Sequence, residues 1–167
     1  MGSNTYSFTY NADGIRTSKT KNGVKTTYFI SGSRIVAEET NNNFTFYLYD
    51  SAGAPIGFKY HAASYAEDVW DIFWYEKNLQ GDIVAVYNKA GTKLVSYAYD
   101  AWGNFTVSYH NGANSSSVAA KNPFKYRGYY YDADLGFYYL GSRYYDSYTG
   151  RFINADGEDV WLQRHLD

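Results

Sequence analysis

Six times the chain repeats one short phrase: a tyrosine, then an aspartate or asparagine, a few residues, and a glycine. The copies are "YNADG" (Tyr10 to Gly14), "YDSAG" (Tyr49, Asp50, Gly53), "YNKAG" (Tyr87 to Gly91), "YDAWG" (Tyr99, Asp100, Gly103), "YDADLG" (Tyr131, Asp132, Gly136) and "YDSYTG" (Tyr145, Asp146, Gly150). An Asp or Asn side chain at this place bonds the backbone two residues on and opens a turn. A glycine supplies the positive φ that closes it. The flanks alternate aromatic and polar residues, the two-residue period of a strand with one buried face. Each phrase is therefore read as the turn of a β-hairpin. The returning strands are "IRTSKT", "TKLVSYAY", "NFTVSY", "FYYLGSRYY" and "RFI", after Gly14, Gly91, Gly103, Gly136 and Gly150. The phrase is strong, but its spacing is irregular.

The intervening sequence agrees. "VKTTYFI", "RIVAEET", "FTFYLY", "IGFKY", "DIFWYEK" and "DIVAVY" read as strands, separated by turn signals such as Asn22-Gly23 and Asn41–Asn43. The expected fold class is all-β: stacked antiparallel hairpins forming a ribbon, a spiralled sheet or a partial barrel, with a possible short C-terminal helix. Residues 1–5 read as an appended leader, 6–110 as repeat hairpins, 111–122 as a loop, 123–156 as a tyrosine-dense segment and 157–167 as a tail. Within "FYYLGSRYY", read as one strand, tyrosines fall on both faces. Tyrosine suits a surface that is apolar at the ring and wet at the hydroxyl. Arg127 and Arg143 are expected to pair with Asp132 and Asp146, or to stack on rings.

Several function classes are excluded or disfavoured. The chain has no cysteine, hence no disulfide or thiolate chemistry. Its net charge is -2 with no basic block, which argues against an electrostatic nucleic-acid partner. No apolar run approaches the roughly 20 residues of a membrane span. His61, His110 and His165 show no paired spacing, so no metal site is expected. Asp132 and Asp134 lack an EF-hand register and read as turn residues. No cofactor motif occurs. Trp70, Trp74 and Trp102 are candidates for stacking on a sugar, with core packing the favoured alternative. Asn104 and Asn114 head glycosylation sequons, which matter only on a eukaryotic secretory route.

The repeats, and above all "YRGYYYDADLGFYYLGSRYYDSYTGRFINAD" (Tyr126–Asp156), resemble the Rhs/YD-repeat family and its Rhs-associated core segment. The resemblance runs from about Tyr6 to Asp156. It implies a long β-ribbon spiralling into a hollow shell, with the core segment closing one end around a C-terminal, often toxic, cargo. Relatives named with the family are the teneurins and the cocoon component of Tc toxins. Three features depart from the pattern: the chain is too short to close a shell, eleven residues follow Asp156, and the family's Asp-Pro turns read Asp146-Ser147 and Asp156-Gly157. Many members release their cargo with two aspartates sharing a proton. Asp156 falls where the first would lie, and without a second, no autoproteolysis is expected.

These readings make the chain a structural fragment of a secreted or cell-surface bacterial shell and not an enzyme. Its expected partners are the rest of the shell or a second copy through sheet edges, with a glycan as a further candidate. The alternatives are a carbohydrate- or cell-wall-binding module and a remnant of an aspartyl autoprotease.

Overall fold

The computed structural model describes residues 4–110 and 114–153. Ten strands form one antiparallel meander in sequence order: β1 (Tyr6–Tyr10), β2 (Arg16–Lys21), β3 (Val24–Ser31), β4 (Arg34–Thr40), β5 (Asn43–Tyr49), β6 (Pro55–His61), β7 (Asp71–Lys77), β8 (Ile83–Asn88), β9 (Lys93–Tyr99) and β10 (Phe105–Tyr109). A short helix α1 (Ser115–Lys121) and a 3₁₀ turn (Tyr126–Gly128) lead to a second meander of four short strands, β11 (Tyr130–Asp132), β12 (Phe137–Tyr139), β13 (Tyr144–Asp146) and β14 (Arg151–Phe152).

The repeated phrase works as its residue types require. Oδ1 of Asp50 accepts the N–H groups of Ala52 and Ala54, both at 2.9 Å, and the Gly53 N–H returns to the Asp50 carbonyl at 3.0 Å. Asn11, Asn88 and Asp100 build the same five-residue loop. So does Asn78, with Gly81 closing the turn. That copy follows Lys77 in place of a tyrosine, which is why the repeat pattern does not reveal it. Behind the loops at Asn11, Asp50, Asn78 and Asn88 the register slips by one residue. A bulge in that position adds local twist and bends the ribbon.

The bent ribbon presents an aromatic and aliphatic inner face. Phe58, Val86 and Val95 are wholly buried, and Phe58 stacks on Phe73 at 4.7 Å between ring centroids. Such a ring pair is worth about 0.5–1.5 kcal/mol beyond its buried area. The C-terminal segment lies on this face. Phe124 packs edge-on against Tyr47 at 4.9 Å and also meets Tyr49, Tyr75 and Tyr130. Tyr130 meets Tyr28 and Tyr47. At the far end, the hydroxyls of Tyr126, Tyr138 and Tyr145 donate to the carbonyls of Ala101, Gly103 and Trp102, in the β9–β10 turn. The four-stranded sheet thus spans the ribbon from β2 to the β9–β10 turn. The ribbon stays open, since β1 and β10 do not pair.

The all-β, stacked-hairpin expectation holds, and some local readings need correction. The stretch 111–122 is not simply a loop, because Ser115–Lys121 is helical. "FYYLGSRYY" is two strands. Gly141 takes φ 77°, Leu140 N–H reaches Arg143 O, and Tyr138 faces Tyr145 across the pair. The tyrosine hydroxyls are also less wet than expected: Tyr49 donates to Ile35 O and Tyr99 to Ile83 O, each at 2.6 Å. The proposed C-terminal helix lies outside the described residues.

Candidate functional site

β2 carries two cations to the seam between ribbon and C-terminal sheet. Arg16 is 0% exposed. Its Nη1 donates to Asp132 Oδ2 at 2.7 Å and to the Tyr144 hydroxyl at 3.2 Å, while Nη2 donates to the Tyr28 hydroxyl at 3.2 Å. The guanidinium lies 4.7 Å from the ring centroids of both Tyr28 and Tyr139. Burial works against its charge, but Tyr28, Tyr144 and Asp132 more than offset this, and its pKa stands above the ordinary arginine value. Lys19 bridges Asp132 Oδ1 at 2.7 Å and Asp134 Oδ2 at 2.8 Å, and Lys21 reaches Asp134 Oδ1 at 2.6 Å. Burial pushes the Asp134 carboxyl up, yet the two lysines outweigh it and hold the pKa low.

This chain of charges joins the N-terminal end of the ribbon to the β11–β12 turn. Asp132 keeps part of its turn role, accepting the Asp134 N–H at 3.2 Å. Its two oxygens are otherwise taken by Arg16 and Lys19. Asp132 and Asp134 therefore share a lysine. The expected pairing of Asp132 with Arg127 or Arg143 is not seen. Arg127 lies 3.9 Å from Asp82 and beside the Tyr126 ring, and Arg143 sits 4.2 Å over the Phe152 ring. The stacking half of that expectation is what the structure contains.

Beside the seam is a cavity of about 430 Å³. Lys19, Tyr28 and Glu38 line it from β2–β4, Tyr97 and Phe105 from β9 and β10, and Lys125, Tyr130 and Asp132 from the C-terminal segment. Tyr130 donates to Glu38 Oε2 at 2.7 Å. Burial pushes the Glu38 carboxyl up, and the Tyr130 hydrogen bond only partly counters it. Lys125 is 4% exposed. Its Nζ donates to the Tyr97 hydroxyl at 3.2 Å and to the Asn122 carbonyl, and lies 4.4 Å from the Tyr97 ring centroid. Burial pulls its pKa down to about 7. Asn122 is anchored by Tyr75, whose hydroxyl donates to its Oδ1 at 2.7 Å.

The other sequence candidates are dispersed. Trp70 packs edge-on against Phe46 at 5.4 Å and beside His61 at 4.8 Å. Trp74 in β7 is 43% exposed, and Trp102, on the β9–β10 turn, is 60% exposed. No ring contact joins any two of them among the described residues. Tyr10 is exposed, and the Tyr87 hydroxyl donates to Glu76 at 2.6 Å. Gly14, Gly53, Gly91, Gly103, Gly136 and Gly150 all take positive φ in their turns. Asp146 accepts the Tyr148 N–H at 2.9 Å. His61 bonds Val69 O and His110 bonds Ser96, and the described residues contain no group of three metal-ligating side chains. Asp156 and His165 lie outside the described residues. Sequence reasoning missed Arg16, Lys19, Glu38 and Lys125, since charged side chains read as solvent-facing. The available signal was Asp132 and Asp134, two carboxylates in an aromatic segment that need counter-charges.

Fold and site together define a class: an open antiparallel ribbon of Asx-turn hairpins, closed over a tyrosine-rich sheet by a buried Arg–Asp pair. No protein-family model matches the chain. It is 34% identical over 153 residues to the tRNA3(Ser)-specific nuclease WapA of Bacillus spizizenii, and 35% identical over 153 residues to the tRNA nuclease WapA of Bacillus subtilis strain 168. Each alignment covers 89% of this chain and 6% of the relative, so the chain spans a small part of those proteins. The fold matches a crystal structure of TcdB2-TccC3-TEV with a TM-score of 0.71 at 19% identity, over 94% of this chain and 8% of that one. It also matches the Photorhabdus luminescens Tc holotoxin pore with a TM-score of 0.65 at 18% identity, over 91% of this chain and 8% of that one. The expected likeness to Tc toxin components is therefore present in the fold. The expectation that the chain is not an enzyme is contradicted by the names of the curated relatives, nucleases acting on tRNA, which it matches over a small part of their length.

Proposed function

We propose that this chain is a wall and closing segment of an Rhs/YD-repeat shell, in a secreted or cell-surface toxin protein that acts on tRNA. The observation that carries the reading is identity of 34–35% to named tRNA nucleases along 89% of the chain. The geometry supports the structural half. The C-terminal sheet docks on the inner face of the ribbon, and a buried ion pair locks it at β2. Among the described residues the outer edges of β1 and β10 carry no ribbon neighbour, and they are where further shell strands would pair. Nuclease action is assigned to the whole protein that carries this chain. The carbohydrate-binding alternative draws on Trp74 and Trp102, the exposed indoles, which form no common platform. The test is to express the longer protein and incubate it with total tRNA. Discrete tRNA fragments on a denaturing gel support the reading, and intact tRNA with a folded preparation sinks the nuclease half. Electron microscopy of the same preparation decides the shell half: a hollow particle is expected, and extended hairpin arrays would refute it.

A further inference from the structure

Neither wall nor closure accounts for the surroundings of Lys125. Its backbone is pinned between Phe124, whose ring is packed in the core, and the 3₁₀ turn. Its N–H donates to Tyr129 O, and its carbonyl accepts the N–H groups of Ile83 and Gly128, all at 3.1 Å. The side chain is thereby fixed in the interior, in the wall of the 430 Å³ cavity. Around Nζ lie the Tyr97 hydroxyl, the Asn122 carbonyl and the rings of Tyr97 and Phe105. The charged groups on the same walls are engaged elsewhere. Asp132 and Asp134 hold Lys19, Glu38 accepts from Tyr130, and Lys121 bonds Ser117 and lies over the Tyr60 ring. No ion pair joins Nζ to a carboxylate among the described residues.

We propose that Lys125 is a carbonyl-capture site, its Nζ condensing with a small aldehyde that enters the cavity. The nitrogen lone pair forms the new C–N bond at the carbonyl carbon. The carbonyl oxygen leaves as water with both amine protons, giving an imine without any oxidant or reductant. The Tyr97 hydroxyl, 3.2 Å from Nζ, is placed to relay a proton to the departing oxygen. Aromatic walls at Tyr97 and Phe105 suit an apolar or aromatic aldehyde body. The uncharged amine is the nucleophile. Burial brings Lys125 to about 7, so about half of it is neutral at pH 7. A solvated lysine is neutral to about one part in a few thousand there. The Tyr97 ring face favours the ammonium form and so sets a limit on this advantage.

The test is reductive trapping of the intact chain with benzaldehyde and cyanoborohydride at pH 7, followed by peptide mass spectrometry. Exposed Lys25, Lys59 and Lys89 serve as internal references. Lys125 is expected to be benzylated at least about tenfold faster than any of them, at a rate that saturates with aldehyde, as prior entry into a cavity requires. In Lys125→Met the fast-labelled site disappears while the reference lysines react as before. Because the decisive comparison is made within the unmodified chain, it does not depend on the variant folding. Slow or absent labelling of Lys125 beside reactive reference lysines overturns the proposal. So does a fast Lys125 rate that stays linear in aldehyde, which would mean a reactive amine without a binding cavity.

Discussion

Arg16 and Lys125 are both buried cations at the seam between the ribbon and the C-terminal sheet, yet they meet opposite electrostatic fates. Arg16 finds a carboxylate, two tyrosine hydroxyls and two flanking rings, and its charge is stabilised despite burial. Lys125 finds a hydroxyl, a carbonyl and aromatic faces, and burial drives it toward the neutral form. The difference follows from shape as well as partners. A planar guanidinium divides its donors among several acceptors and lies flat between rings, whereas an ammonium is a compact, strongly hydrated charge that gives up its proton when dried. One end of the seam is thus an electrostatic clamp and the other a packing contact around a lysine that burial drives toward its neutral form.

Cutting the clamp should give the largest effect. Asp132→Ala leaves Arg16, and in part Lys19, as buried charges without their carboxylate. Removing one partner of a buried pair costs about 3–5 kcal/mol. The urea midpoint of the chain should fall accordingly. Hydrogen exchange should quicken at β11 and β12 before the middle of the ribbon, because those strands lose their anchor to β2. A loss below about 1 kcal/mol would mean that ring packing, not charge, holds the seam, since exposed pairs are worth that little.

The neutral end should show itself in pH dependence. The pKa of Lys125 is about 7 when folded and about 10.5 when unfolded. Between those values the unfolded chain binds more protons, so stability rises with pH across the window and is lost again as pH falls toward 7. From pH 7 to 9.5 the gain is about 3 kcal/mol at 1.36 kcal/mol per unit, and less if the interior relaxes to admit water. Lys125→Met should abolish that slope. The ceiling lies near pH 10, because burial raises the hydroxyl pKa values of Tyr47, Tyr75 and Tyr130. Their contribution is present below the unfolded tyrosine value and is lost as pH climbs past it. Denaturant titrations of both forms at half-unit steps would show whether the slope belongs to Lys125.

The same contrast explains what could be read from the sequence. Asp50 and Gly53 announce their turn because the mechanism is local: one side chain, four backbone groups and a positive φ. The ten-strand ribbon follows from such turns. Arg16 and Asp132 sit 116 residues apart, and strand alternation cannot say that a cation points inward. Lys125 is harder still, because what defines it is the lack of a carboxylate, which only the assembled cavity decides. The break in "FYYLGSRYY" was visible in Gly141, but the tyrosine alternation on either side concealed it. Residue type alone makes Trp102 a candidate for stacking, and its place beside Gly150 comes from docking of the C-terminal sheet.

Smaller effects separate the cavity wall from the clamp. Glu38 is pushed up by burial, so the folded state favours its protonated form. Its contribution is full below the unfolded carboxyl value and fades as pH rises through the folded one. Glu38→Gln retains an acceptor for the Tyr130 hydroxyl and carries no charge to bury. It should therefore raise stability at pH 7 by about 1 kcal/mol, the scale of one hydrogen bond's net worth, with no gain at pH 4. Lys21→Ala sets the lower bound. Lys21 is the outermost member of the Arg16–Asp132–Lys19–Asp134 chain, and its ammonium, held up by Asp134, is open to solvent. Screening leaves such exposed pairs with little energy. Its removal should leave the urea midpoint unchanged within error, while Asp134 keeps Lys19. A clear loss from Lys21→Ala would show the five charges acting as one cooperative network, in which case the clamp extends to the surface and the seam is less asymmetric than its burial implies.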